Sequence, residues 1–98
     1  MKTISVVIPT YNEIENIRDA YERVLSVLTK LEGYDYEIVC IDNCSTDGTR
    51  DELRLIASSN PKVKVILNAV NVGWSRSSFY GLINTSGDAV VLLAADMQ

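Results

Sequence analysis

The residues Thr3–Pro9, TISVVIP, form a run that is almost entirely apolar and rich in β-branched side chains. Such a run predicts a strand buried on both faces, as in a parallel sheet that is covered by helices. After it the spacing of the apolar residues changes, and they fall on one face of a helix at Ile14, Ile17, Tyr21, Val24, Leu25, Leu28 and Leu31. Asn12 is the predicted N-cap of that helix, and Glu15 completes a capping box.

The alternation of strand and helix repeats along the rest of the chain. Further strands are predicted over Tyr36–Asp42, Lys62–Leu67 and Asp88–Asp96. Helices are predicted over Ser45–Ser59 and, with a weaker pattern, Trp74–Thr85. This βαβαβαβ order predicts a three-layer α/β/α domain, with helices on both faces of a four-stranded parallel sheet. We expect the spatial strand order 3-2-1-4.

The composition fits one small globular domain and excludes several classes of protein. Of 98 residues, 47% are hydrophobic and 22% are charged, and the net charge is −4. Because Lys and Arg are not clustered, we expect no nucleic-acid partner. No segment approaches the ~18 apolar residues of a membrane span, and the first apolar run is too short for a signal peptide. Cys40 and Cys44, without any histidine, predict reduced structural thiols in a cytoplasmic protein.

Polar residues follow each predicted strand, where parallel sheets bind their ligands. The four segments are Pro9–Glu13, Asp42–Thr49, Asn68–Arg76 and Asp96–Gln98. Taken singly, they read as ordinary turn and cap residues, with Gly73 supplying a permissive backbone angle and Arg76 facing solvent. Taken together, they predict a ligand site, because the fold brings all four strand ends to one edge of the sheet.

The phosphate-binding loops of two large nucleotide-binding classes are absent. The chain has neither a G-x-G-x-x-G dinucleotide motif after its first strand nor a G-x-x-x-x-G-K-[ST] loop. A bound nucleotide would therefore need its diphosphate neutralised in another way. A divalent cation held by carboxylate and amide oxygens fits the residues available.

Four segments in this order resemble the nucleotide-binding half of a family 2 glycosyltransferase with the GT-A, Rossmann-like fold: VVIPTYNEIENI, IVCIDNCSTDGT, NVGWSRSSFYGLINTSGDAVV and AADMQ. The resemblance covers all 98 residues and is greatest to the subgroup of polyprenyl-phosphate sugar transferases. It implies an inverting enzyme that takes a sugar from a nucleotide diphosphate. The implied acceptor is a polyprenyl phosphate or a cell-surface glycan, and the implied cofactor is Mg²⁺ or Mn²⁺.

The resemblance also implies a role for particular residues. Pro9, Tyr11 and Glu13 match residues that line the base and ribose pocket, and Asp42 and Asn43 match an acidic pair whose second member contacts the base. Gly73 and Arg76 complete the expected nucleotide site, Arg76 as a candidate phosphate ligand. Asp96 matches the second Asp of a D-x-D motif, which is the main metal ligand, and Gln98 matches a further metal ligand.

Two positions depart from the family pattern. Asn43 stands where an Asp is usual, and its amide oxygen can still accept a hydrogen bond from a pyrimidine N3–H. Ala94 stands at the first Asp of the D-x-D motif. Because hard cations lose affinity when anionic ligands are lost, we expect weak metal binding.

In relatives the chain continues into an acceptor-binding half, often with membrane-associated helices. We therefore interpret residues 1–98 as a nucleotide-sugar-binding part truncated before that half and inactive alone, which associates with itself through an exposed strand edge. Two alternatives remain open. One is a non-catalytic nucleotide-binding module with an eroded D-x-D site, and the other is an unrelated flavodoxin-like domain.

Overall fold

A computed structural model describes residues 2–95 as four parallel strands that alternate with three helices. The strands are β1 (Lys2–Thr10), β2 (Tyr34–Asp42), β3 (Val63–Leu67) and β4 (Ala89–Leu92). The helices are α1 (Ile17–Thr29), α2 (Thr49–Ser59) and α3 (Trp74–Ile83). The strands lie in the order β3-β2-β1-β4, which confirms the predicted sheet.

The two central strands are buried on both faces, as their sequences predict. On one face, side chains such as Ile8 and Ile38 pack with α1 and α2, whose buried residues include Ile17 and Leu53. On the other face, Val7, Val39 and Ile41 form a smaller apolar cluster. Helix α3 covers this second cluster, so the domain has the predicted three layers.

Helix α3 lies very close to the sheet, and Gly81 makes this approach possible. A Cβ atom built at Gly81 would lie 2.5 Å from Val7 Cγ1 and 3.2 Å from Ile41 Cγ2. The other buried residues of α3, Ser77 and Ser78, are also small. The glycine inside this helix is therefore a packing requirement, although glycine lowers helix propensity.

Helix α1 begins at Ile17, with Asn16 at its N-cap, so the predicted capping box of Asn12 and Glu15 is wrong. The backbone of Asn12 has φ of +52°, in the left-handed region. Its side-chain Oδ1 accepts a hydrogen bond of 2.8 Å from the Thr46 backbone N–H. Asn12 therefore joins two loops, and a cap residue with a long-range partner cannot be recognised from local spacing.

The connection between α3 and β4 is held by the buried Glu37 carboxylate of β2. Its Oε1 accepts hydrogen bonds from Ser5 Oγ at 2.6 Å and from the Ser86 N–H at 2.5 Å. Burial raises the pKa of Glu37, but the hydrogen bonds from Ser5 and Ser86 outweigh it, and the net pKa is lowered. This carboxylate lies in the first half of the central strand β2, and it holds Ser86 in the segment that leads into β4.

Strand β4 is shorter than predicted and is exposed although it is apolar. It spans Ala89–Leu92, and the side chain of Val91 is 48% exposed. Ala94 and Ala95 follow the strand, and the predicted metal ligands Asp96 and Gln98 lie outside the described residues. Strand β4 thus pairs with β1 on one side and is the last strand of the sheet on the other.

We predict that Gly81→Ala destabilises the domain, because the added methyl group must displace Val7 or move α3 away from the sheet. Overpacking of this kind costs roughly 1–3 kcal/mol, and it should exceed the helix-propensity gain of about 1 kcal/mol from replacing glycine. Urea denaturation followed by circular dichroism measures the free energy of unfolding. Ser75→Ala, at an exposed position of the same helix, is the control and should change stability little. An unchanged or higher stability for Gly81→Ala would contradict this account of α3 packing.

Candidate functional site

An open cleft of about 390 Å³ lies at the carboxyl ends of the strands. Residues that follow all four strands line it: Pro9, Thr10, Tyr11, Glu13, Asn43, Asn71, Gly73, Trp74, Ser77, Ala94 and Ala95. Five of the seven nucleotide-site residues predicted from the sequence are among them. The fold therefore brings together most of a site whose members lie far apart in the chain.

Two predicted nucleotide-site residues do not line the cleft. The side chain of Asp42 is fully buried behind the cleft, against the neighbouring loops. Arg76 is exposed on α3, outside the cleft lining. Ala94 does line the cleft, at the position where the resemblance predicts the first Asp of the D-x-D motif.

Asp42 connects the end of β1 with the loop that follows β2. Its Oδ1 accepts hydrogen bonds from Thr10 Oγ1 at 2.8 Å and from Ser45 Oγ at 2.5 Å, and its Oδ2 accepts one of 2.8 Å from the Ser45 N–H. The Arg50 guanidinium lies nearby, with Nε 3.6 Å from Oδ2. A buried carboxylate is costly unless such partners compensate it. Asp42 is thus a structural support for the cleft in this arrangement.

Backbone N–H groups of the β1–α1 loop are held by side chains of the β2–α2 loop. The Asn12 N–H donates to Ser45 Oγ at 2.8 Å, and the Glu13 N–H donates to Thr49 Oγ1 at 2.9 Å. The Ile14 N–H donates to Asp47 Oδ2 at 3.2 Å. Together these bonds fix the loop that carries Tyr11 and Glu13 into the cleft.

Asp47 has a second role at the start of α2. Its Oδ1 accepts hydrogen bonds from the N–H and the hydroxyl of Thr49, at 3.0 and 2.5 Å. Desolvation raises the pKa of Asp47, but the hydrogen bonds from Thr49 and Ile14 lower it more, so the pKa is below its ordinary value. Asp47 stays ionised near neutral pH, where its charge also favours the N-terminus of α2.

The third side of the cleft is the loop between β3 and α3, which Asn43 contacts. Asn43 Oδ1 accepts a hydrogen bond of 2.8 Å from the Val72 N–H, and its Nδ2 donates one of 2.7 Å to Asn71 Oδ1. Asn71 Oδ1 also accepts one of 2.9 Å from the Gly73 N–H. The sequence suggests a hydrogen bond between Asn43 Oδ1 and a nucleobase. In the structure this oxygen already accepts a hydrogen bond from the β3–α3 loop.

Sequence reasoning assigned no role to five residues that line the cleft: Thr10, Asn71, Trp74, Ser77 and Ala95. Trp74 is the chain's only tryptophan, and its side chain is 58% exposed. In the sequence it is interpreted only as the start of a predicted helix. A tryptophan directly after a glycine, in the segment between a predicted strand and a predicted helix, is the signal that could have identified it. The half-exposed Tyr11 is a second aromatic residue of the cleft.

The ionisable groups of the described chain do not by themselves form a metal centre. Within residues 2–95, no group of three or more carboxylate, thiol or imidazole side chains is arranged to hold a metal ion. Cys40 is buried in the core, which raises the pKa of its thiol to about 12 and keeps it protonated. Cys40 and Cys44 are both free thiols.

Comparison with known proteins adds to this geometry. A family model described as Glycosyl transferase family 2 matches residues 5–98. The chain belongs to glycosyl transferase family 2. This membership confirms the resemblance that the four sequence segments indicated.

Curated relatives of this family 2 chain include proteins named as dolichol-phosphate and bactoprenol sugar transferases. The chain is 39% identical over 95 residues to a dolichol-phosphate mannosyltransferase of Pyrococcus furiosus, covering 97% of this chain and 26% of that protein. It is 37% identical over 95 residues to a bactoprenol glucosyl transferase of Shigella phage SfX, covering 97% of this chain and 31% of that protein. The chain therefore spans less than a third of the length of these relatives.

Solved structures of similar fold include proteins with bound nucleotide sugars. A mannosyltransferase from Pyrobaculum calidifontis, in complex with GDP-Man and Mn²⁺, gives a TM-score of 0.80 at 26% identity, over 95% of this chain and 27% of that one. S. aureus TarS in complex with UDP-GlcNAc gives 0.76 at 28% identity, over 98% of this chain and 27% of that one. These likenesses confirm the predicted GT-A type of α/β fold. No helix in the described part of the chain is both long and apolar enough to cross a membrane.

We predict that Asp42→Asn loosens both loops of the cleft, because the amide loses charge-assisted bonds from Ser45 and Thr10 and leaves Arg50 without its partner. The loss should be roughly 1.5–3 kcal/mol in the free energy of unfolding, as for a hydrogen bond to a charged group. Urea denaturation measures it. Asp51→Asn, which removes an exposed partner of Arg54, is the matched control and should cost well under about 1 kcal/mol. Equal stability of the two variants would show that Asp42 does not support the cleft.

Proposed function

We propose that this chain is the donor-binding part of a glycosyltransferase, which binds a nucleotide-diphosphate sugar for transfer to an acceptor such as a polyprenyl phosphate or a cell-surface glycan. The observation that carries the proposal is the cleft itself. Pro9, Tyr11, Glu13, Asn43 and Gly73 converge there from the end of β1 and from three separate loops. The relatives named as dolichol-phosphate and bactoprenol transferases support the acceptor class.

We assign the nucleotide to the side of the cleft formed by β1, β2 and the loop before α3. Tyr11 and Trp74 offer aromatic surface for a base, and Pro9, Glu13 and Asn43 line the same space for base and ribose. Helix α3 begins at Trp74, and no side chain caps its N-terminus, so the first N–H groups of the helix are available to an anion. Arg76, in the first turn of α3, is placed to add positive charge near a diphosphate.

A divalent cation fits this site only weakly. In the described part of the cleft lining, Glu13 is the one carboxylate, and Ala94 offers no ligand atom. We propose Asp96 and Gln98 as the cation ligands, with low affinity because one is neutral and the first Asp of the motif is missing. When bound, Mg²⁺ or Mn²⁺ would stabilise negative charge on the leaving diphosphate. The Mn²⁺ in the mannosyltransferase complex of similar fold supports this assignment.

The acceptor is proposed to bind to polypeptide other than residues 1–98, because the relatives are more than three times as long as the part matched here. We therefore expect these 98 residues to bind a donor without transferring the sugar. If the acceptor is a polyprenyl phosphate, the complete protein would transfer the sugar at the cytoplasmic face of a membrane. The presence of Ala94 in the cleft favours a second candidate function, that of a non-catalytic nucleotide-binding module.

Calorimetric titration tests the proposed function, with uridine and guanosine diphosphates and with or without Mn²⁺. We predict weak binding that strengthens with Mn²⁺ and is reduced by Asp96→Ala. We further predict that Ala94→Asp raises the Mn²⁺-dependent affinity by about tenfold, because it restores an anionic oxygen beside the cleft. Ala69→Asp, the same change at an exposed residue outside the cleft lining, is the control. Binding that responds neither to the metal nor to Asp96→Ala and Ala94→Asp would remove these two residues from the site.

We also propose that the isolated chain associates with itself through β4. Val90, Val91 and Leu92 are exposed on an outer strand without a charged residue, which is a template for pairing. Beside it lies an apolar groove of about 350 Å³, whose lining includes Val24, Val27, Leu31 and Leu93. Sedimentation should show concentration-dependent dimers that Val91→Lys abolishes. A strict monomer at high concentration would contradict the proposal.

A further inference from the structure

The side chain of Asn43 bridges the end of β2 and the loop that leads into α3. It is 5% exposed, and both of its polar atoms are bonded to residues of that loop. Asn43 Oδ1 accepts from the Val72 N–H, while Nδ2 donates to Asn71 Oδ1, and these two bonds measure 2.8 and 2.7 Å. A short side chain directly after β2 thus holds a residue that lies 28 positions further along the chain.

The orientation of both amide groups is fixed by backbone donors. The Val72 N–H can only donate, so the Asn43 oxygen must face it, and the Asn43 nitrogen must face Asn71. The Gly73 N–H can likewise only donate, so the Asn71 oxygen must face Gly73. Asn71 Oδ1 therefore accepts two hydrogen bonds, from Gly73 at 2.9 Å and from Asn43. Within residues 2–95, Asn71 Nδ2 takes part in no hydrogen bond. Asn43 Nδ2 is therefore always the donor between the two amides and Asn71 Oδ1 always the acceptor, and we call this fixed direction the polarity of the pair.

This polarity makes an amide necessary at position 43 but not at position 71. A carboxylate at position 43 would place a second acceptor against Asn71 Oδ1 at the present separation of 2.7 Å. Turning the Asn71 amide over would relieve that repulsion, but it would leave the Gly73 N–H without its acceptor. A carboxylate at position 71, in contrast, keeps the acceptor oxygen that both donors use.

We propose that Asn43 is a positioning residue, which closes the β3–α3 loop against β2 and so places Gly73 and Trp74 at the cleft. The effect that Asn43 has on ligand affinity rests on the proposed donor-binding function, whereas its effect on the loop does not. The loop leads directly into α3, because Gly73 is the N-cap of that helix and Trp74 is its first residue. Any shift of the Asn71–Gly73 loop therefore moves the cleft wall that carries the aromatic side chain.

The test compares Asn43→Asp with Asn71→Asp, two identical changes of charge at residues in direct contact. Amide hydrogen exchange by NMR measures the protection of the Val72 and Gly73 N–H groups, and the emission of Trp74, the single tryptophan, reports the cleft wall. At about pH 8, Asn43→Asp should lower the Gly73 protection factor by roughly tenfold and shift the Trp74 emission. Asn71→Asp should keep both at wild-type values. Loss of protection in Asn71→Asp would overturn the proposal, even if Asn43→Asp failed to fold, and wild-type protection in Asn43→Asp would overturn it as well.

A pH series separates this role from a general loss of stability. Position 43 is buried, and burial raises the pKa of a carboxyl group placed there. Protonating this group in Asn43→Asp restores a donor toward Asn71, so protection should return as the pH falls from about 8 to about 5. The wild type and the exposed Asn84→Asp variant should show no such transition. These controls keep the ionisable groups near the position, which are the cleft residues Tyr11 and Glu13, the chain neighbours Asp42 and Cys44, and Arg50 beside Asp42. If the protection of the Val72 and Gly73 N–H groups in Asn43→Asp is equally low at both pH values, the proposed polarity is wrong.

Nucleotide affinity is measured on the same variants. If the wild type binds a nucleoside diphosphate, Asn43→Asp should weaken that binding by roughly tenfold at about pH 8, and the exposed Asn84→Asp variant, outside the cleft lining, should leave it within about threefold. Absence of binding by the wild type would count against the proposed function alone. The exchange and fluorescence measurements need no ligand, so they still decide whether Asn43 positions the loop.

Discussion

The site depends on the parallel pairing of β1 with β2. The two strands are in register over nine residues, from Lys2 opposite Tyr34 to Thr10 opposite Asp42. Both are apolar on both faces and covered by helices, so a shift of register would break the packing of two layers at once. Because the strands end side by side, the loops that follow them must leave the sheet together. This constraint places the β1–α1 and β2–α2 loops in contact before any side chain of the cleft is considered.

The buried side chain of Asp42 then joins these loops through hydrogen bonds. An isolated carboxylate in the core would be strongly unfavourable, but Thr10 and Ser45 satisfy its oxygens, and Arg50 lies close by. The side chains of Ser45 and Thr49 go on to hold the backbone of Asn12 and Glu13. Residues that look like ordinary turn formers thus build one connected hydrogen-bond network. A site supported in this way is ordered before a ligand arrives, which lowers the entropy lost on binding.

The opposite side of the cleft is built with fewer constraints. A single helix, α3, covers the second face of the sheet, and its contact depends on small residues, above all Gly81. Strand β4 is short, and its side chains are more exposed than those of the central strands. Side-chain amide hydrogen bonds connect the wall that carries Gly73 and Trp74 to the end of β2. Those of Asn43 are the shortest of these bonds. The cleft therefore has one wall fixed by the sheet and another fixed by side chains.

The sequence by itself determined the elements, their order and the family. Apolar spacing reports which faces are buried, and alternating strands and helices leave few possible topologies, so the sheet and its order could be predicted. The strand-end positions also identified five residues of the cleft, while the roles of Asp96 and Gln98 stay predictions. Only the tertiary structure decided what the polar residues contact. Asn12 bonds a residue 34 positions away and not its own helix, Asp42 faces the interior, and Asn43 holds Asn71. The physical reason is that burial patterns are local and periodic, whereas a hydrogen bond between two loops depends on atoms that only the folded sheet brings together.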